Sequence, residues 1–242
     1  MAKEVIHLLK RDLFLWMEIL KRRAVLFLII LVGIMGYLEI TGGLQMSMEG
    51  LPPDCYLQNR SQIPFFWVFS MILPMVFLVG YLKKDLIKKS DYIWIKLKHK
   101  FSLWISKWIM GVITIGLSLL VESVIFFALK VFSLQGDIPV QKWGMDVVLI
   151  GMGSLSVYTI YEMLILVLSE IQALLCVVIF ILCRLSSDKP ILFPSNFLYS
   201  HFSGSIWNSI IYGIFLIIIA FVIAKFIFDR ADIFVLRRIN NG

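Results

Sequence analysis

The chain has 242 residues, of which 60% are hydrophobic and 16% charged, and its mean hydropathy is +0.90. A soluble domain carries about 45–50% apolar and about 25% charged residues, so lipid rather than water must solvate most of this surface. The formal charge of +7 does not point to nucleic acid, because the lysines and arginines cluster just outside apolar runs, as they do where a protein faces anionic lipid.

Taken in chain order, the first element is residues 5–20, VIHLLKRDLFLWMEIL. At helical spacing Val5, Leu9, Leu13, Trp16 and Leu20 share a stripe, with His7, Lys10, Arg11, Glu18 and Lys21 away from it. Such a helix can lie flat in the headgroup region, or it can simply extend the span that follows. The basic cluster Lys21-Arg22-Arg23 argues for a break, hence for a separate interface helix.

A span needs about 20 mostly apolar residues. Six runs qualify or nearly so: 24–40, 63–82, 108–129, 143–168, 171–185 and 206–228. The fifth is too short to span comfortably, and only Ser169 and Glu170 divide it from the fourth, so those two should form a tight antiparallel pair. With the N-terminus inside, 18 of the 23 Lys and Arg residues fall on the cytoplasmic side, which is the orientation the positive-inside rule favours. Both termini are then cytoplasmic. Trp67, Trp104, Trp108, Trp143 and Trp207 fall near span ends, where indole rings prefer the interface.

Between the second and third spans lies KKDLIKKSDYIWIKLKHK, residues 83–100, with seven lysines and two aspartates. Topology alone would need the lysines but not the embedded aromatic and aliphatic block. That block suits a helix whose apolar anchors, Leu86, Tyr92, Ile93, Trp94, Ile95 and Leu97, dock in a partner's groove inside a charged rim.

Inside the spans, Glu122 and Glu162 stand out, because a carboxylate in hydrocarbon is costly and by default a functional candidate. Each is either part of a proton relay or polar glue hydrogen-bonded across helices. The small-residue run GMGSLS at 151–156, and the stripe Gly213, Ala220 and Ala224, suit close helix packing. Residues 186–205 are too apolar for an exposed loop, and Pro190 and Pro194 prevent one continuous helix. They read as short helices dipping back into the outer leaflet as a re-entrant hairpin.

The chemistry of catalysis is missing. No G-x-x-x-x-G-K-[ST] occurs, and the only histidines, His7, His99 and His201, lie outside the expected spans. No catalytic residue, metal site or bound cofactor is expected. Three cysteines (Cys55, Cys176 and Cys183) make no disulfide framework. The fold class is therefore an all-α polytopic membrane protein forming a single transmembrane domain over residues 1–242.

This layout resembles the membrane subunits of ABC transporters of the ABC-2 type, small six-span permeases of exporters. In that family an amphipathic interface helix precedes the first span, a cytoplasmic coupling helix joins the second and third, and re-entrant helices lie between the fifth and sixth. Residues 5–20, 83–100 and 186–205 occupy those places. The resemblance covers the whole chain but is one of architecture, without a sharp sequence signature. It implies a bacterial cytoplasmic membrane protein partnered by two ABC ATPase subunits that bind ATP and Mg, and by a second copy of itself or a related permease. It implies an amphipathic cargo, a peptide of the antimicrobial or bacteriocin kind or a lipid-linked molecule. Two other classes fit the residues: a secondary transporter using Glu122 and Glu162, and a non-transporting immunity or scaffold protein.

Overall fold

The computed structural model describes residues 2–41, 65–81, 101–132, 140–185 and 206–230. Among them are six helices and no strand: α1 (Ala2–Ile40), α2 (Phe65–Leu78), α3 (Phe101–Phe132), α4 (Val140–Leu164), α5 (Glu170–Leu185) and α6 (Ile206–Arg230). Segments Arg23–Ile40, Phe101–Phe132, Trp143–Leu164 and Ser209–Ile227 are long and apolar enough to cross a membrane, whereas Val68–Leu78 and Glu170–Ile181 are apolar but shorter. The protein is a helical membrane protein. Its described residues hold four helices of spanning length and two short apolar ones, where the sequence reading expected six spans.

The first expectation to fail is the separate interface helix. Helix α1 runs unbroken for 39 residues through Lys21-Arg22-Arg23. At about 1.5 Å per residue it is some 58 Å long, more than the roughly 40–45 Å of a whole bilayer. Its first part packs on α3 instead of lying alone in the headgroups. The two helices run parallel: Glu4 meets Ser102 at 3.4 Å, Trp16 donates to Thr114 at 2.8 Å, and Glu39 pairs with Lys130 at 2.9 Å. The buried face there is Leu8, Asp12 and Trp16. Leu13 of the expected stripe is turned outward with Ile6, Phe14 and Met17.

Arg23 explains why the basic cluster does not break α1. Its guanidinium reaches the end of α2 and donates to the carbonyls of Phe77 at 2.6 Å and Val79 at 2.9 Å. The last carbonyls of a helix have no partner within it, and a cation there also meets the negative end of the helix dipole. Helix α2 stops at Leu78, and Gly80 takes φ +84, a left-handed conformation that glycine adopts without strain.

Helices α3 and α4 form an antiparallel pair. Phe126 stacks on Trp143 with centroids 3.9 Å apart, Trp108 donates to Thr159 at 2.9 Å, and Trp104 reaches the Glu162 carbonyl at 3.4 Å. Helix α3 begins at Phe101, seven residues before the expected span, so Trp104 and Lys107 sit buried in the bundle and not in a loop. Helix α4 turns at 165–168 into α5, where Ser169 and Gln172 cap each other's backbone N–H at 3.4 and 3.1 Å. The tight connection read at Ser169-Glu170 is present.

The small residues serve packing within the chain. Ser156 of α4 reaches the Gly213 carbonyl of α6 at 3.4 Å, and Gly213, Ala220 and Ala224 are buried. Phe221 of α6 packs edge-on to Trp104 and Trp108, with centroids at 4.6 and 4.9 Å. The opposite face of α6, with Ile211, Phe215, Ile218 and Val222, is exposed and apolar, as lipid contact requires.

At Gly111 the Tyr158 ring fills the space a Cβ would take, whereas among the described residues nothing lies near a Cβ at Gly116 on the same helix. Since Tyr158 is fully buried, Gly111→Ala should destabilise the protein by about 1–3 kcal/mol through overpacking. Gly116→Ala should be neutral or slightly stabilising. Thermal unfolding of the two variants in mild detergent measures the difference.

Candidate functional site

The inner polar cluster forms where α1, α2, α3, α4 and α5 come together near the first turns of α3. Its centre is Asp12, fully buried on α1. Lys107 Nζ donates to Oδ1 of Asp12 at 3.0 Å, and Arg11 of the same helix adds bonds at 2.6 and 3.1 Å. Ser106 donates to Oδ2 at 2.7 Å. Both carboxylate oxygens are thus engaged. Lys107, itself 1% exposed, also stands 3.8 Å from the centroid of the Tyr81 ring, whose hydroxyl is 3.3 Å from the Asp12 carbonyl.

Sequence position hides this arrangement but helix geometry makes it necessary. Asp12 lies four residues from both Leu8 and Trp16, so it shares their face and must be buried when they pack on α3. A carboxylate there needs a cation and further donors, and Ser106 and Lys107 open the facing helix.

A second group adjoins the first. The Tyr158 hydroxyl donates to Oε1 of Glu162, one turn on along α4, and lies 3.3 Å from the Lys107 carbonyl. The missing Cβ of Gly111 is what lets the ring sit there. Tyr161 is within electrostatic reach of both Glu162 and Glu170. Glu170, in the first turn of α5, accepts the Gly80 backbone N–H at 2.8 Å. Carboxyls, phenols and one ammonium therefore link the end of α2, the start of α3, the end of α4 and the start of α5.

Of the two glutamates singled out in sequence, only Glu162 belongs to this cluster. Glu122 is on α3 next to Ser70 of α2, one turn before Pro74. By α-helix rise Glu122 lies roughly 25 Å up α3 from the level where Trp104 meets Glu162. The two glutamates therefore stand at different levels of the bundle. Lys107, Asp12 and the tyrosines were missed in sequence; the usable signal was an aspartate on the apolar face of one helix and a lysine inside another apolar helix.

The proposed docking residues Leu86, Tyr92, Ile93, Trp94, Ile95 and Leu97 lie outside the described residues, as do residues 186–205. What is described are the two helices on either side of 83–100. The end of α2 is held by Arg23 and, at Gly80, by Glu170, while the start of α3 is held by Asp12.

Comparison with protein families, curated proteins and solved structures finds no match to this chain. The site is therefore read from its own chemistry.

Removing one member of a buried ion pair leaves the other charge uncompensated, at a cost of about 3–5 kcal/mol, whereas replacing both by apolar residues is often close to neutral. Asp12→Leu, which takes the carboxylate from buried Lys107, should accordingly lower stability by about 3–5 kcal/mol, and adding Lys107→Met should recover most of that loss, whereas Lys107→Met alone should cost less because Arg11 still meets Asp12 at 2.6 Å. Unfolding of the purified variants in detergent decides it.

Proposed function

We propose that the chain is the membrane subunit of an ATP-driven exporter of the ABC-2 type. In this reading it has six membrane passes, α2 and α5 being the short ones, with residues 83–100 and both termini on the cytoplasmic side of a bacterial membrane. Two separate ABC ATPase subunits carry ATP and Mg, and a second copy or a related permease completes the pathway. The cargo class is an amphipathic peptide or a lipid-linked molecule, which suits a permease with so little charge in its spans.

The observation that carries this reading is the pairing at the two ends of the lysine-rich segment. A segment that transmits force must be attached at both ends to something stiffer than itself. Here the helix before it is tied to α1 through Arg23 and the helix after it through Lys107 and Asp12. Movement of 83–100 by a partner would thus pull on α1, α2 and α3 together. ATP chemistry belongs to the partner, and this chain converts movement into access.

A second reading, a proton-coupled secondary transporter, is favoured by one feature: Glu162 keeps a buried Oε2 with no hydrogen-bond partner among the described residues, in a cluster rich in phenols. Intramembrane acids of that kind are the usual proton carriers. Of the two glutamates that reading uses, Glu122 and Glu162, only Glu162 lies in the cluster.

Changing Tyr92, Ile93 and Ile95 together to serine should abolish co-purification of a Walker-A-bearing chain in mild detergent and stop ATP-dependent export. Glu162→Gln should leave co-purification intact. Co-purification that survives the triple change, or an active protein that never carries an ATPase, counts against the exporter.

A further inference from the structure

We propose that the protein holds one acyl chain of a bilayer phospholipid in a cavity between α1, α2 and α3. The cavity has a volume of about 210 Å³ and is walled by Trp16 and Phe27 of α1, Phe77 of α2, and Thr114 and Val121 of α3. It is larger than the roughly 150 Å³ engineered apolar cavity that stays free of water and takes up benzene. Among the described side chains around it only Trp16, Thr114 and Ser118 carry a polar atom, and Trp16 and Thr114 bond to each other at 2.8 Å. A water molecule needs two to four polar partners to be held, so this space does not suit water.

The occupant follows from where the cavity opens. Leu28 of α1 and Leu117 of α3 stand at its edge, and both are exposed. Around them Val25, Leu26 and Ile29 on one helix and Ile113 and Leu120 on the other are exposed and apolar too. Both helices belong to segments of spanning length. The mouth therefore opens into the medium that surrounds these surfaces in the membrane, and that medium is hydrocarbon chain. Lys21 is exposed one turn before Ala24, which lines the cavity, and so offers a cation to the phosphate of a lipid whose chain has entered. A compact apolar molecule would fill the volume without using Lys21, whereas a phospholipid uses both.

Trp16 is the reporter, since it lines the cavity and is otherwise buried. The full chain is reconstituted into vesicles of phosphatidylcholine and phosphatidylglycerol, with or without bromine on the acyl chains, which quenches indole at contact. The Trp16 contribution is the difference between the wild type and Trp16→Phe. It should be strongly quenched by brominated chains in the wild type. That quenching should be lost in Ala24→Phe and, independently, in Ser118→Leu, two changes that fill the cavity from opposite walls. Gel filtration and thermal unfolding show that each variant is folded, and either filling variant alone suffices for the comparison. Equal quenching in the wild type and a folded filling variant overturns the proposal, because the bromine then reaches Trp16 from outside the cavity. No Trp16 quenching in the wild type overturns it as well, whether the cavity is empty or holds a non-lipid molecule.

Discussion

The buried ion pair between Asp12 and Lys107 is the contact on which the rest of the helix arrangement turns. Neither charge can enter an apolar interior alone, because removing an ion from water costs several kcal/mol that only close, well-hydrogen-bonded partners offset. Once Leu8 and Trp16 pack on α3, Asp12 is carried in with them; Arg11 of its own helix meets it at 2.6 Å, and α3 adds a second cation at that height. That cation is Lys107, with Ser106 and Arg11 satisfying the remaining carboxylate lone pairs. The pair fixes the rotation of α1 and its register along α3, and the Glu39–Lys130 pair repeats the constraint at the other end. Between them the two helices can only run parallel.

Further consequences follow from α1 being unbroken. A helix that continues through Lys21-Arg22-Arg23 brings a guanidinium to the end of α2, whose open carbonyls accept it. That contact lets α2 stop short at Leu78 with the carbonyls of Phe77 and Val79 paired. The freed chain end at Gly80 then meets Glu170 at the start of α5. Short helices that end among polar groups are tolerated in membranes only where protein covers them. Here the cover is the same cluster that anchors both sides of residues 83–100.

How much of this was legible in the sequence depends on the range of the interactions. The apolar runs showed where the helices lie, because burial in lipid needs nothing but length and composition. Ser169 announced the start of α5, and the glycines and serines at 151–156 announced close packing, since both are local effects. The continuity of α1 was not legible: its cause is a bond between Arg23 and Phe77, 54 residues apart. Lys107 falls just before the expected span at 108–129, and nothing local marks it, because its partner Asp12 is 95 residues away. Asp12 itself fell neither in the stripe of Val5, Leu9, Leu13, Trp16 and Leu20 nor among the polar residues set against it. The anchors between Leu86 and Leu97 stood out by composition, and lie outside the described residues.

The most direct test joins Glu4 to Ser102, which meet two turns before the ion pair along α1. Both are changed to cysteine in a chain whose native cysteines are replaced by serine, and a short bifunctional thiol reagent is applied in membranes. High cross-linking with Asp12 and Lys107 intact, falling sharply when Lys107→Met is added, is the result expected if the buried pair holds α1 on α3. Failure to cross-link while Glu4→Cys reacts freely with a single-headed reagent, or equal cross-linking with and without Lys107, would contradict it.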